Sequence, residues 1–241
     1  MIKYFKTSIL YILCIAFNHS YSQENLLSVE YEFVHKPTPE MMKLAETNQM
    51  LYDAIQSATL GSDFIRIKLH VKNHEAIAFI DGAMSSDATD IRTAIAASGH
   101  KEPIYSNLKT CEVLIPANEN LFEKGKYHFE NENLTVKWEI TKETKEILGF
   151  VCYKAVSNSG LNSQIVAWFT PDIPFQFGPG GYGNLPGLIL ELEEGRTLFK
   201  ARILDFKPNK INVNPPKGTR LTNQEYQEKS RKIIESMKRN F

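Results

Sequence analysis

Few side chains in this 241-residue chain have types and spacings suited to chemistry, and they are scattered. Beyond Cys14, near the amino terminus, the cysteines are Cys111 and Cys152, about 40 residues apart, with no CxxC redox pair. If they pair, the chain-entropy model puts the gain at roughly 4 kcal/mol. Such a bridge is the expectation, and two buried free thiols are the alternative. His70 and His74 invite a metal reading. However, they fall on the polar side of a strand pattern and across a turn, and no acidic or sulfur ligand repeats their spacing, so they read as solvated surface. HExxH and GxSxG are both absent. Asp172, Glu191 and Glu193 sit at strand ends or wet-face positions rather than as a catalytic pair. The residues therefore point to no catalytic site, metal or cofactor, and a non-enzymatic protein is expected.

What remains is a loop. Gly178-Pro179-Gly180-Gly181-Tyr182-Gly183-Asn184-Leu185-Pro186-Gly187 holds five glycines and two prolines in ten residues. Such a segment cannot be helix or central strand and must turn repeatedly through positive-φ positions. Gly178, Pro179, Tyr182, Asn184, Leu185, Pro186 and Gly187 are the candidate residues of a ligand loop or a structural corner. Consecutive N–H groups could cradle an anion, with Tyr182 stacking on a ligand. A phosphate loop, though, opens a helix and carries lysine, whereas this one opens the strand Leu188–Leu192 and has none. The corner is the favoured reading, its role being to set the register of Leu188–Leu192 against Ile147–Val156.

The elements that must position this loop are mainly strands. Leu27, Val29, Tyr31 and Phe33 alternate with polar residues, as do Ile65, Ile67, Leu69 and Val71, and Asn73-His74 turns the second run into a hairpin with Ala76–Ile80. Thr38-Pro39 begins one amphipathic helix that runs to Gly61. Residues 82–102 read as a short helix from Ser85-Ser86-Asp87 or as a loop. Tyr105–Ile115 and Gly125–Phe129 read as strands, and Leu134–Thr141 as the clearest amphipathic strand. Glu143–Glu146 reads as a polar turn, and Ile147–Val156 as a strand covered on both faces. After the turn at Asn158–Gly160 come strands at Gln164–Thr170, Leu188–Glu193 and Thr197–Lys207. A helix over 222–240 starts at a Thr222/Glu225 capping box with a Leu221/Tyr226 staple. The fold class is therefore α+β, mainly β: a curved antiparallel sheet, open or bent into a half-barrel, packed with one or two helices.

Composition bounds the rest. The chain is 42% hydrophobic with 28 basic and 28 acidic residues, a balance that excludes a nucleic-acid partner. Lys3 and Lys6, the apolar run Ile9–Phe17 and the small residues of Ser20-Tyr21-Ser22 read as a signal peptide over 1–22, too short in its apolar part to span a membrane. That leaves a single exported domain over 23–241 with no transmembrane segment.

Trp138-Glu139-Ile140, the run Lys145–Ala155, Trp168-Phe169-Thr170, Gly178-Pro179 and Leu185-Pro186-Gly187-Leu188-Ile189-Leu190-Glu191 together resemble the GLPGLI family of exported Gram-negative envelope proteins. Asn184 stands where that family's name has glycine, and asparagine also tolerates a left-handed backbone. The resemblance implies a β-rich fold located in the periplasm or at the outer membrane, and carries no activity with it. The expected function is a binding or accessory protein that holds an apolar ligand or docks on an outer-membrane protein. A cavity lined by Trp138, Trp168 and Phe150 would favour the ligand. The alternatives are a structural or assembly component of the envelope and an enzyme of unknown reaction.

Overall fold

Most of the alternating runs become strands. The computed structural model describes residues 25–81, 89–158 and 164–239, so the signal-peptide segment, Ser85–Asp87 and most of the turn after Asn158 lie outside it. In chain order the strands are β1 (Leu26–His35), β2 (Arg66–Lys72), β3 (Glu75–Ile80), β4 (Ile104–Asn107), β5 (Glu112–Pro116), β6 (Tyr127–Asn131), β7 (Glu139–Ile147), β8 (Phe150–Ser157), β9 (Ile165–Thr170), β10 (Leu188–Glu194), β11 (Thr197–Asp205) and β12 (Thr219–Leu221). Helices α1 (Pro39–Ala45), α2 (Gln49–Ser62), α3 (Thr89–Ser98) and α4 (Asn223–Arg239), with a 3-10 turn at Pro179–Gly181, complete the described elements. One sheet holds all twelve strands in the order β12-β6-β5-β4-β3-β2-β1-β11-β10-β9-β8-β7, and it is not closed into a barrel.

One face of this sheet is the core. Leu27, Val29, Tyr31 and Phe33 of β1 join Ile67, Leu69 and Val71 of β2, with Ala155, Ala167, Phe169, Ile189, Leu192 and Phe199 from the other half. Helices α2 and α3 pack against each other beside this face. Gly61 makes that contact possible, because a Cβ there would overlap the Asp90 carbonyl. The opposite face carries ion pairs, Glu32–Arg202, Lys36–Glu193 at 2.6 Å and Lys145–Glu191 at 2.8 Å, while Tyr105, Leu114 and Val213 bury a small apolar cluster over β4 and β5. Exposed pairs of this kind stabilise little.

Several expectations are corrected. The single helix from Pro39 to Gly61 is two, because Asn48 takes an extended backbone and caps α2, its Oδ1 accepting from Leu51 N at 3.1 Å. Tyr105–Ile115 is split by a turn at Leu108–Cys111, with Cys111 at φ 54°. Leu134–Thr141 is not a continuous strand, since pairing begins only at Glu139. The polar run Glu143–Glu146 lies inside β7, and the reversal comes later, at Leu148-Gly149, where both φ values are positive as a two-residue hairpin demands. β8 is only partly covered: Cys152 and Ala155, on opposite faces, are buried, whereas Val151 is 50% exposed. β10 pairs with β9 and β11, not with β8. β12 pairs parallel with β6, so the sheet is mixed. The C-terminal helix keeps its expected box: Thr222 N donates to Glu225 Oε2 at 2.8 Å, and Glu225 N to Thr222 Oγ1 at 3.2 Å.

Candidate functional site

The Gly/Pro segment leaves β9 at Pro171 and lies across the core face before entering β10. Its backbone folds on itself. Phe177 bridges Gly183, Asn184 N donates to Gln176 O at 3.0 Å, and Ile189 N donates to Phe177 O at 3.0 Å. Gly180, Gly181 and Asn184 have φ of 67°, 78° and 61°, so asparagine occupies the left-handed conformation expected of it. Gly187 has φ 153°, and a side chain there would run into the Thr170 carbonyl. Gly181 rests on Val113 and Ile104, which ties the loop to β4 and β5 on the far side of the core.

Side chains from distant elements hold this loop. His100, 2% exposed, follows α3; its Nδ1–H donates to Ser98 O at 2.8 Å, which leaves Nε2 to accept from Gly180 N at 3.1 Å. Asn133 Nδ2 donates to Gly180 O at 2.6 Å, and Trp138 Nε1 to Gly183 O at 3.0 Å. Tyr31, buried in β1, donates its hydroxyl to Ile189 O at 2.7 Å. Burial lowers the His100 pKa to about 4 and raises that of Tyr31, so both stay neutral at physiological pH. These contacts use backbone groups that an anion nest would have to leave open.

The predicted site residues thus divide by burial. Gly178, Pro179, Leu185 and Gly187 are buried, and Asn184 and Pro186 are exposed. Tyr182 is 6% exposed at the wall of a polar cleft of about 810 Å³. Burial, then the nearby Glu194 carboxylate that accepts from the phenol, raise its pKa. Trp138, Trp168 and Phe150 pack partly buried against the core. Cys111 and Cys152 are both free: Cys111 is exposed on its turn, while Cys152 is buried, and desolvation moves its thiol pKa up to about 11. Glu191 and Glu193 are held in the ion pairs with Lys145 and Lys36. His70 packs edge-on against Phe79, their ring centroids 4.9 Å apart. Among the described residues no group of three or more His, Cys, Asp or Glu side chains could hold a metal ion.

A groove that sequence reasoning missed lies at one end of the strands, where β4 begins and β5 turns into β6. The connector Gly99–Pro103 and the loop Ala117–Lys126 face each other across about 550 Å³ of mostly apolar lining, including Ile77, Ile115, Pro116 and Pro216. Two ion pairs of opposite polarity join its walls, Lys101 to Glu119 and Lys124 to Glu102, the latter at 2.8 Å. His128 of β6, 6% exposed, also lines it. Burial lowers its pKa; Glu102 opposes that shift and Arg220 adds to it. No periodicity could have revealed the groove, because its walls come from four segments separated by turns.

Residues 158–191 match the model of a family described as "Protein of unknown function (Porph_ging)". No curated protein matches the chain. Among solved structures it is similar to PNGF-II in two crystal forms. The C2 form has a TM-score of 0.53 at 16% identity over 86% of this chain and 33% of that one; the P21 form has 0.53 at 18% identity over 87% and 34%. The chain therefore spans about a third of PNGF-II, and at this identity the likeness is one of fold alone.

Proposed function

We propose that this is an exported, non-enzymatic binding protein of the GLPGLI kind that holds an apolar ligand in the groove between Gly99–Pro103 and Ala117–Lys126. The observation that carries the reading is the groove itself. Its 550 Å³ of mostly apolar lining is within the range of small-molecule sites, and its rim charges are matched in pairs. The family match over residues 158–191 includes the Leu185–Glu191 segment on which the GLPGLI resemblance rests, which supports membership. The Gly/Pro loop serves this function as scaffold: it ties β9 and β10 to β4 and β5, next to the groove. A second reading, a structural or assembly component of the envelope, draws support from the packed interior around Trp138 and Phe150.

Native mass spectrometry of the full chain with pyrene as an apolar probe tests the groove. The parent should bind one molecule, and Ala117→Trp, which fills the groove, should bind none while unfolding like the parent. A parent that takes up no probe, or an Ala117→Trp variant that binds it equally well, removes the reading.

A further inference from the structure

Within that groove the polar groups are not equivalent. Lys101, Glu102, Glu119 and Lys124 neutralise one another across the mouth, so a charged ligand finds no unpaired counter-ion there. Asn118 is engaged as well, its Oδ1 accepting from Asn120 N at 2.9 Å. His128 differs. Only 6% of it is exposed and its ring makes no hydrogen bond among the described residues, yet its nitrogens are not enclosed and keep contact with solvent. A ligand that covers these nitrogens displaces the water they meet and must replace it or leave a donor and an acceptor unpaired. A neutral imidazole offers one donor and one acceptor, so either a hydroxyl or a carbonyl can serve.

Resting on the groove reading, we infer that His128 is the polar anchor of the site and that the ligand is an uncharged molecule with an apolar body and one hydroxyl or carbonyl placed against the imidazole. The paired rim tells against fatty-acid anions and quaternary amines, and the unpartnered ring tells against pure hydrocarbons. Binding moves no proton and changes no covalent bond. The single new contact is a hydrogen bond that the protein lacks without its ligand.

Fluorescence titration with pyrene, 1-pyrenemethanol and 1-pyrenecarboxylate separates these classes, using the parent, His128→Phe, His128→Gln and Ala117→Trp. In the parent, 1-pyrenemethanol should bind about tenfold tighter than pyrene, the gain of one hydrogen bond in a desolvated site, and at least as tightly as the carboxylate. His128→Phe should erase the preference for the alcohol over pyrene, and His128→Gln should restore part of it. Equal binding of alcohol and pyrene, a preference that survives His128→Phe, or tighter binding of the carboxylate overturns the inference. It does so without touching the groove itself, provided Ala117→Trp still abolishes pyrene binding. If no probe binds the parent, both readings fall together.

Discussion

Acid should loosen this protein through one histidine. His100 is 2% exposed and lies edge-on to Phe199, ring centroids 5.2 Å apart, and its Nε2 lone pair receives the Gly180 N–H. Protonation would set N–H against N–H in a buried site, and burial accordingly lowers the pKa from 6.5 to about 4. Because the folded value lies below the unfolded one, the unfolded chain takes up the proton first as pH drops. The contribution of His100 is therefore complete above the unfolded pKa and is lost as pH falls toward the folded one. Linkage gives a loss of about 2 kcal/mol at about pH 5 and roughly 3 kcal/mol once both states are protonated. Other buried histidines, His35 and His128, shift the same way, so the comparison must be with His100→Gln, which keeps an acceptor but cannot titrate. Urea midpoints measured from about pH 7.5 to about pH 4.5 should show the parent losing about 2 kcal/mol more than the variant. Parallel profiles, agreeing within about 0.5 kcal/mol, would refute the argument that this imidazole is neutral and holds the loop.

Three further outcomes are expected. Gly187→Val combines a φ of 153° with overlap on the Thr170 carbonyl, so it should lower stability by a few kcal/mol in urea unfolding; a midpoint within error of the parent would show that the corner tolerates a side chain. Gly61→Val pushes α2 off α3 at Asp90 and should cost about 1–3 kcal/mol as overpacking, with amide exchange rising in both helices but not in β9–β10. A maleimide should label Cys111 at once in the native, unreduced protein and Cys152 only after unfolding, as an exposed thiol and a buried one with pKa about 11 require. Two thiols that stay unlabelled in the unfolded, unreduced chain would instead reveal a bridge.

Legibility followed how directly a local pattern maps onto a single packing surface. β1, the β2–β3 hairpin and most of β9 alternate between a buried and a wet face, so alternation located them; β10 and β11 bury neighbours such as Leu188–Leu190 and Leu198-Phe199 and were marked instead by apolar runs between turns, and α4 carried its own cap. Leu134–Thr141 shows why the same signal misled. Leu134 is buried and Val136 and Trp138 are half-buried, while Thr135, Lys137 and Glu139 are exposed, so the alternation is real; residues 136–138 nonetheless pack without a strand partner. β7 is the reverse case. An edge strand with both faces wet has no apolar period, and its lysines and glutamates suit an unpaired edge. The break at Asn48 was hidden because Leu44 and Leu51 keep helical spacing across it. β12, the groove and the setting of His128 depend on segments brought together by the fold, and no local spacing encodes them.

The place of β1 constrains how this sheet can be assembled. Although it is the first strand, it occupies the interior of the order, between β2 and β11, and Phe33 pairs with Phe199. A nascent chain can close the β2–β3 hairpin early and lay β1 beside it, but the other side of β1 stays a bare template until residues 197–205 have followed. During that interval a row of unsatisfied amides and carbonyls stands beside Val29, Tyr31 and Phe33. Truncation before β11 should therefore yield not a smaller stable sheet but a sticky one, which polymerises through its first strand.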